Sequence, residues 1–237
     1  MHVHLADPVA LAEPEWIRRS LAMLEPPEVE QYRRFMFDQH RQEYLVTRAL
    51  ARTVLSRYVP RAPEDWRFVR TEHGRPLIAG AETDPRTRWL TFNLSNTTGL
   101  VACAVARERE LGVDVEWLDR RGHALEVADR FFSAPELEEL RARPEALQLD
   151  RFFDYWTLKE SYIKALGKGL TLPLEAFALA LDGSGGPIRL RVWPPIEDDA
   201  ASWQFHLCSP LPRHRLAVAV RRGAGPPLTV SLRWATP

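Results

Sequence analysis

The chain has 237 residues with 32 basic and 32 acidic side chains, so its formal net charge at neutral pH is zero. This length is enough for one large domain or two smaller ones with a buried core. The balanced charge provides no general attraction for nucleic acid or for an acidic membrane, and we expect neither as a partner.

Cysteine usage and the opening residues both point to the cytoplasm. Cys103 and Cys208 lie in apolar, strand-like segments without metal-ligand spacing, which favours reduced core residues. The opening residues M-H-V-H-L-A-D-P lack the basic and apolar regions of a signal peptide. No apolar run reaches the length of a membrane span. We therefore expect a soluble, cytoplasmic protein.

Hydrophobic periodicity and turn residues predict a mixture of helices and strands. In the first part of the chain they predict, in order, a strand at Val3–Leu5, helices at Pro14–Leu24, Glu28–Phe35 and Gln39–Tyr58, a strand at Trp66–Arg70, a turn at His73–Leu77, and a hairpin of Leu90–Leu94 with Leu100–Ala106. In the second part they predict a strand at Leu111–Trp117, helices at Ala124–Phe132, Ala134–Arg143 and Asp154–Leu170, and strands at Leu172–Leu181, Ile188–Trp193, Trp203–Leu207, Leu216–Arg221 and Leu228–Trp234.

A faint internal repeat suggests that these elements form two similar halves. An early helix leads to the strand G-L-V-A-C-A-V-A, and a later helix leads to the comparable strand H-R-L-A-V-A-V-R. We therefore predict an α+β fold that is a pseudo-dimer of two α+β halves, residues 1–110 and 111–237, joined near Arg109–Gly112.

The segment Asp154–Leu170 carries the most informative pattern. Gly167 and Gly169 are predicted to end its helix, because glycine readily adopts the left-handed conformation of a helix C-cap. Its apolar residues recur at helical spacing and predict a buried stripe formed by Tyr155, Leu158, Tyr162 and Leu166. A neighbouring stripe contains Trp156, Glu160 and Lys164, so Glu160 and Lys164 point the same way one turn apart.

Two interpretations of Glu160 and Lys164 are open at this point. They could form a surface ion pair contributing roughly 0.2–0.5 kcal/mol, or they could do chemistry. The chain's only lysines are Lys159, Lys164 and Lys168, and every other basic residue is arginine. A compact ammonium can bind phosphate as a point charge or lose its proton, which favours chemistry over surface decoration.

Asp114 and Glu116 form a second candidate group. They lie two apart on a predicted strand, so both carboxylates project from one face. Buried together, they would need a cation or raised pKa values, and with Glu160 they would make an oxygen-donor set suited to Mg²⁺ or Mn²⁺. The alternative is an edge strand whose outer face carries acids for solubility, and spacing does not choose between the two.

The predicted hairpin turn Ser95–Gly99 adds polar groups. The segment F-N-L-S-N-T-T-G contains the chain's only asparagines, Asn93 and Asn96. Asparagine in a turn often only satisfies the local backbone. In the alternative interpretation, Ser95 and Asn96 donate hydrogen bonds to a ligand held at the turn.

Two of these stretches together resemble a known family. The stretch G-V-D-V-E at 112–116 and the stretch W-T-L-K-E-S-Y-I-K-A-L-G-K-G-L at 156–170 resemble the two signature motifs of the 4′-phosphopantetheinyl transferases. The chain length and an F-N-L-S segment downstream of G-R-P resemble the surfactin-synthetase-activating subtype more than the short trimeric holo-acyl-carrier-protein synthases. The resemblance covers approximately Val29 to Val220.

The resemblance implies a reaction, a cofactor and a partner. Enzymes of this family move the phosphopantetheine arm of coenzyme A onto a serine of an apo acyl or peptidyl carrier protein and release adenosine 3′,5′-bisphosphate. Their fold is a pseudo-dimer with coenzyme A between the halves. The resemblance therefore implies Mg²⁺ or Mn²⁺ as the cofactor, coenzyme A as co-substrate, and a cytoplasmic monomer that acts on a carrier protein.

Site residues follow by motif position. The positions resembling the metal-binding acids are Asp114, Glu116 and Glu160. Lys164 would contact the pyrophosphate, Arg75 in G-R-P replaces a more usual lysine that meets coenzyme A phosphates, and Ser95 matches a cofactor-contacting serine. As catalytic groups we expect Lys164, which would stabilise transition-state charge, and an acceptor for the serine proton. That acceptor is left open between Glu160, Glu116 and a metal-bound water.

Two departures from the family pattern concern the 3′-phosphate of coenzyme A. The usual N-x-S-H turn has Asn96 in place of histidine, and its amide can donate a hydrogen bond but adds no charge. The region that is basic in the best-known subtype contains Glu28, Gln31 and Glu43. We expect a nearby arginine to compensate, with Arg41 preferred over Arg33, Arg34 and Arg48.

Two other function classes are considered. A non-catalytic coenzyme A or carrier-protein binding module would need a broken acid cluster, whereas all three acids and Lys164 are present. A metal-dependent nuclease would need a basic channel and an E-x-K motif, which the charge balance and the sequence disfavour. For carrier docking, the candidates by family position are Arg130–Ser133 and Ala134–Arg143, which could equally be ordinary packing.

Overall fold

The computed structural model describes residues 1–119, 124–181, 186–223 and 225–235, which form two compact units. One unit comprises Met1–Glu108 together with Val230–Pro237, and the other comprises Arg109–Thr229. The junction lies close to the predicted one, but the C-terminal strand belongs to the first unit and not to the second half. The reason is its pairing: Ser231–Trp234 runs parallel to His2–Ala6 and hydrogen-bonds to it.

With one exception, the helices and strands follow the predicted order with shifted ends. The exception is Pro76–Ile78, which was predicted to lie largely in the turn His73–Leu77 but forms a strand because it pairs with Phe68–Arg70. In the first unit they are β1 His2–Ala6, α1 Pro14–Ala22, α2 Pro26–Arg34, α3 Asp38–Leu55, β2 Phe68–Arg70, β3 Pro76–Ile78, β4 Leu90–Thr97 and β5 Leu100–Arg107. In the second unit they are β6 Leu111–Trp117, α4 Ala124–Phe131, α5 Ala134–Arg141, α6 Glu145–Leu166, β7 Phe177–Leu181, β8 Ile188–Val192, β9 Trp203–Cys208 and β10 His214–Arg221. The final strand is β11 Ser231–Trp234.

Both units have the same topology, which confirms the predicted repeat of two α+β halves. Each has a strand, three helices, a two-stranded hairpin, and two further strands that join the first. The sheet of the first unit has the order β11-β1-β5-β4, and that of the second has the order β6-β10-β9. The two strands that suggested the repeat, β5 and β10, occupy equivalent positions beside β1 and β6.

Each unit packs one long helix against its sheet. In the first, Val46 and Leu50 of α3 share a core with Val101 and Cys103 of β5. In the second, Leu158 and Tyr162 of α6 belong to a core that also contains the small side chains Ala217 and Ala219 of β10. Burial of these apolar faces is the main favourable contribution to folding in each unit.

Two predicted boundaries were wrong for identifiable reasons. Helix α6 begins at Glu145 and not at Asp154, because Pro144 precedes it and residues 145–153 continue the helical pattern. The predicted strand at Leu172–Leu181 begins only at Phe177, since Pro173 and two single 3₁₀ turns precede it. Gly167 has φ 68° and ends α6 in the left-handed conformation, as predicted.

The predicted turn Ser95–Gly99 was also wrong in extent. Strand β4 continues to Thr97, and Ser95 and Asn96 pair with Ala102 and Val101 of β5. Only Thr98 and Gly99 form the turn, and Gly99 has φ 76°, a conformation that glycine adopts without steric cost. Because successive residues of a strand face opposite sides, Ser95 is buried and Asn96 is exposed.

Along the described parts of the chain, no helix combines the length and apolar character needed to cross a membrane.

A histidine–tyrosine cluster joins β1 to the end of α3 in the first unit. His2 Nδ1 and His4 Nε2 lie 2.6 and 2.9 Å from the Tyr58 hydroxyl oxygen, and Arg233 of β11 lies 2.8 Å from His2 Nε2. His4 is fully buried. Burial, followed by the charges of Arg57, Arg233 and His2, lowers the pKa of His4 from 6.5 to about 4.

We expect this buried histidine to make the protein less stable in mild acid. The unfolded chain takes up the His4 proton at a higher pH than the folded chain, so stability is full above about pH 6.5 and is lost toward pH 4. At about pH 4.5 the loss should be about 2 kcal/mol of unfolding free energy. Urea unfolding of the wild type and of His4→Gln, each above about pH 6.5 and at about pH 4.5, measures this. Parallel pH dependence in the two proteins would contradict it, and His73→Gln, an exposed histidine, is the control.

Candidate active site

Strand β6 and helix α6 approach each other closely at Gly112. A Cβ atom at this position would lie 1.9 Å from the Ser161 carbonyl oxygen and 2.5 Å from the Ala165 amide nitrogen. Both contacts are with backbone that cannot move independently of the helix. Glycine is therefore required here for steric reasons, and it brings the polar face of β6 against the polar stripe of α6.

We expect Gly112→Ala to damage both stability and activity. The added methyl group must push β6 away from α6, which should cost at least about 2 kcal/mol of unfolding free energy. Urea unfolding measures this, and Gly225→Ala is a matched control because its Cβ would meet only the Arg222 carbonyl oxygen at 3.9 Å. Equal stability of the two variants would show that the close approach is not needed.

The predicted alternation of β6 places its acids on the face toward α6. Asp114 is only 4% exposed, and its Oδ1 accepts a hydrogen bond from Lys164 Nζ at 2.6 Å. Two residues further along the strand, Glu116 Oε1 accepts a hydrogen bond from Trp156 Nε1 at 3.0 Å. The structure thus joins the two motifs that the sequence placed apart, and Asp114 is not on a solvent-exposed edge face.

Glu160 completes the group electrostatically. Burial, and after it the negative charge of Asp114, raises the pKa of Glu160, while the ammonium of Lys164 partly opposes the shift. The site therefore holds two carboxylates close enough to repel each other, and one lysine beside them. A cluster of ionisable side chains with a perturbed pKa is typical of functional sites.

The donor chemistry of this cluster suits a hard divalent cation. Carboxylate oxygens are the ligands that Mg²⁺ and Mn²⁺ prefer, and a cation would relieve the repulsion from Asp114 that adds to the effect of burial on the pKa of Glu160. Within the described ranges, however, no three His, Cys, Asp or Glu side chains are already gathered as a metal site. Asp114 is paired with Lys164, and Glu116 is bound by Trp156. Metal binding by Asp114, Glu116 and Glu160 therefore stays a prediction.

The three lysines have three different environments. Lys164 lies in the cluster, and Lys168 is exposed beyond the end of α6. Lys159 is fully buried, where its Nζ lies 2.8 Å from Glu136 Oε2 and donates to the carbonyl oxygens of Leu174 and Phe177 at 2.8 and 2.7 Å. The lysine bias singled out this segment, but one of its three lysines stabilises the core.

Apart from Lys164, the predicted coenzyme A residues lie in the first unit. Arg75 precedes β3 in the turn after β2, and Ser95 and Asn96 lie on β4. Arg41 lies near the start of α3, and its guanidinium donates to Asp38 Oδ1 and the Phe35 carbonyl oxygen, both at 2.7 Å. These positions neither confirm nor contradict the predicted roles.

Glu28 has a structural role that the sequence analysis missed. Its carboxylate accepts from the Glu25 amide at 3.1 Å, as part of the capping box of α2, and pairs with the fully buried Arg52 at 2.6 Å. A basic residue at this position would put a like charge beside buried Arg52 in place of its 2.6 Å partner, and Glu25 at 3.8 Å would be a weaker substitute. The glutamate three residues after the N-cap was the available signal.

The candidate docking segments are partly buried and partly exposed. Phe132 and Ser133 are buried, and Ser133 caps α5 through a reciprocal hydrogen bond with Glu136. Arg130 is exposed at the end of α4, and Leu125 on the same helix is also exposed. Of the segment Arg130–Ser133, therefore, Phe132 and Ser133 are not available to a partner.

Comparison with known proteins places these motifs in a family. A family model described as the 4′-phosphopantetheinyl transferase superfamily matches residues 110–220, and one described as 4′-phosphopantetheinyl transferase, N-terminal, matches residues 12–108. The transferase HetI of a Nostoc species is 33% identical over 187 residues, which are 78% of this chain and 77% of HetI. The chain belongs to the 4′-phosphopantetheinyl transferase family.

Further relatives of this transferase include bacterial and animal proteins. The 4′-phosphopantetheinyl transferase Sfp of Bacillus subtilis is 33% identical over 77% of this chain and 76% of its own length. The mouse L-aminoadipate-semialdehyde dehydrogenase-phosphopantetheinyl transferase is 25% identical over 89% and 71%. Among solved structures, the holo-(acyl-carrier-protein) synthase of Bacillus anthracis, in complex with CoA (3′,5′-ADP), matches 47% of this chain and 93% of its own at 19% identity and a TM-score of 0.38.

Proposed function

We propose that this transferase moves the 4′-phosphopantetheine arm of coenzyme A to a serine of an apo acyl or peptidyl carrier protein and releases adenosine 3′,5′-bisphosphate. The observation that carries the proposal is the cluster between β6 and α6, where Lys164 pairs with buried Asp114 beside Glu160. We further propose that it acts as a cytoplasmic monomer, without a nucleic acid or membrane partner.

Each residue of the cluster has a proposed role. Asp114, Glu116 and Glu160 would hold Mg²⁺ or Mn²⁺, which when bound would neutralise charge on the diphosphate. Lys164 would contact the pyrophosphate and stabilise negative charge that develops in the transition state. Its position supports this role, because an ammonium beside Asp114 and Glu160 provides a cation at the place where phosphate oxygens would otherwise be repelled.

The serine proton needs an acceptor. Glu160 and Glu116 are the two carboxylates of this chain proposed to accept the serine proton, and both are half-buried. Trp156 would keep Glu116 in place through its indole hydrogen bond, since the Trp156 ring is itself packed against Phe131 and Phe152. Glu160→Gln and Glu116→Gln, compared at saturating metal, would distinguish the acceptor from a residue that only orients the site.

The first unit would supply contacts to the rest of coenzyme A. We propose that Arg75 binds its phosphates, that Ser95 contacts the cofactor, and that Asn96 and Arg41 bind the 3′-phosphate. For Arg41 this requires the Asp38 carboxylate to give up its ion pair, since the guanidinium is held by Asp38 and by the Phe35 carbonyl group. A rise in the KM for coenzyme A in Arg41→Ala but not in Arg33→Ala would support Arg41.

The direct test is the intact mass of an apo carrier protein incubated with this protein, coenzyme A and Mg²⁺. We expect the carrier to gain one phosphopantetheine arm, and the gain to be lost with EDTA and with Asp114→Ala. Asp119→Ala is the matched control, because Asp119 is an exposed aspartate of the same unit. Coenzyme A binding without transfer to several carrier types would indicate a binding module, and failure to bind coenzyme A would contradict the proposal as a whole.

A further inference from the structure

A small cavity of the first unit lies between α1, the later part of α3 and the residue that follows β11. Its volume is about 150 Å³, and a protein cavity of this size can hold a molecule such as benzene. Much of its wall is apolar, with Trp16 and Met23 from the α1 side and Val46 and Leu50 from α3. None of the residues proposed above to bind coenzyme A or metal is among its described lining residues.

The charged side chains of this lining are both basic. Arg19 lies in the last turn of α1, and Arg57 lies just after α3. Neither forms an ion pair within the described part of the chain, whereas the neighbouring Arg18 is paired with Glu15. The described lining also contains no aspartate or glutamate. Charge therefore favours an anion as the ligand of this cavity.

The positive charge at the end of α3 acts on its surroundings. After the effect of burial, the charges of Arg57 and Arg233 lower the pKa of His4. Both guanidinium groups are thus close enough to disfavour a further positive charge in this region. A ligand with a negative charge would be stabilised there by the same field.

A buried hydroxyl group in the cavity wall has no partner in the described residues. Ser20 of α1 is 2% exposed and lines the cavity, yet its hydroxyl group forms no hydrogen bond within the ranges that the structure describes. The other hydroxyl group of the lining, that of Thr53, donates to the Ala49 carbonyl oxygen at 2.9 Å. A buried donor without a partner costs free energy, which a ligand that accepts from Ser20 would recover.

We propose that this cavity binds a small organic carboxylate. The carboxylate group would accept hydrogen bonds from Arg19, Arg57 and Ser20, because guanidinium groups match the planar shape of a carboxylate and form charge-assisted hydrogen bonds with it. The apolar body would contact Trp16 and Leu50, which favours an organic acid over an inorganic anion. The inference goes beyond the proposed transfer reaction and does not depend on it.

The test is an NMR titration of the full chain that follows the indole N–H resonance of Trp16, assigned with Trp16→Phe. The ligands are sodium benzoate, benzamide and benzamidinium chloride, which share one shape and carry a negative charge, no charge and a positive charge. We expect a saturable shift with benzoate, at least about tenfold weaker binding of benzamide, and no binding of benzamidinium.

Substitutions of the two arginines test the same site. Arg19→Gln and Arg57→Gln remove one charge each from exposed side chains, and each should weaken benzoate binding at least about threefold. Arg18→Gln is the matched control on the same helix, because Arg18 does not line the cavity, and it should leave binding unchanged.

Several outcomes would overturn the proposal. These are benzamide or benzamidinium binding as tightly as benzoate, inorganic phosphate binding as tightly as benzoate, and wild-type affinity in both Arg19→Gln and Arg57→Gln. Displacement of benzoate by coenzyme A would also overturn it, since the cavity would then belong to the cofactor site. The ligand series is measured on the wild type, so it remains decisive if a variant is poorly folded.

Discussion

Lys164→Ala is expected to lower transfer to a carrier protein by at least about 100-fold, whereas Lys168→Ala is expected to lower it less than about threefold. Lys164 Nζ lies 2.6 Å from buried Asp114, in the cluster proposed to bind the pyrophosphate of coenzyme A, while Lys168 is exposed after the end of α6. Turnover at saturating coenzyme A and carrier, followed by intact mass, measures both variants. Equal losses in the two variants would contradict the assigned roles.

A stability measurement must accompany this comparison. Removing Lys164 leaves Asp114 without its ammonium partner, so part of any loss could come from a weakened fold. Lys164→Arg separates the two effects. It keeps a positive charge beside Asp114, but a planar guanidinium cannot replace a compact ammonium, so we expect a folded protein whose turnover is still reduced at least about tenfold. Full activity in Lys164→Arg would mean that any cation at this position suffices.

Lys159→Met is expected to have the largest effect on stability, a loss of about 3–5 kcal/mol of unfolding free energy. The three hydrogen atoms of the Lys159 ammonium have three acceptors, namely Glu136 and the carbonyl groups of Leu174 and Phe177. Without the ammonium, the buried Glu136 carboxylate and both carbonyl oxygens lose a donor. Since many domains are stable by only about 5–15 kcal/mol, we expect much of this variant to be unfolded near 37 °C.

Urea unfolding of Lys159→Met, Glu136→Gln and the double variant measures this coupling. Glu136 also accepts from the Ser133 and Leu179 amides, so Glu136→Gln should be destabilising in its own right. The sum of the stability losses of the two single variants should exceed the loss of the double variant by at least about 1 kcal/mol, because the two residues interact directly. Lys168→Met is the exposed control. A loss below about 1 kcal/mol in Lys159→Met would show that the buried pair is not needed.

The local part of the candidate site could be predicted from the sequence. Alternation along β6 correctly placed Asp114 and Glu116 on one face, and helical spacing correctly placed Trp156, Glu160 and Lys164 on one stripe of α6. Gly167 ended the helix as expected. These predictions succeed because the periods of strands and helices depend only on backbone geometry, which the order of residues carries directly.

The pairing of distant segments could not be predicted in this way. Strand β11 was placed in the second half because it follows it in the chain, yet it pairs with β1 at the opposite end of the sequence. The Ser95–Gly99 segment contained enough polar residues for a turn, but pairing with β5 extended the strand to Thr97. Sheet pairing and register depend on the partner strand, and nothing local to a segment specifies its partner.

The sequence by itself thus determined the α+β repeat, the two motifs and the faces on which their acids and lysine lie. Only the tertiary structure decided that Asp114 is buried against Lys164, that Lys159 belongs to the core, and that Glu28 is bound to Arg52. The physical reason is that the environment of a charged side chain is set by burial and by partners from distant segments. The same residue type can therefore serve chemistry at one position of a helix and packing at another.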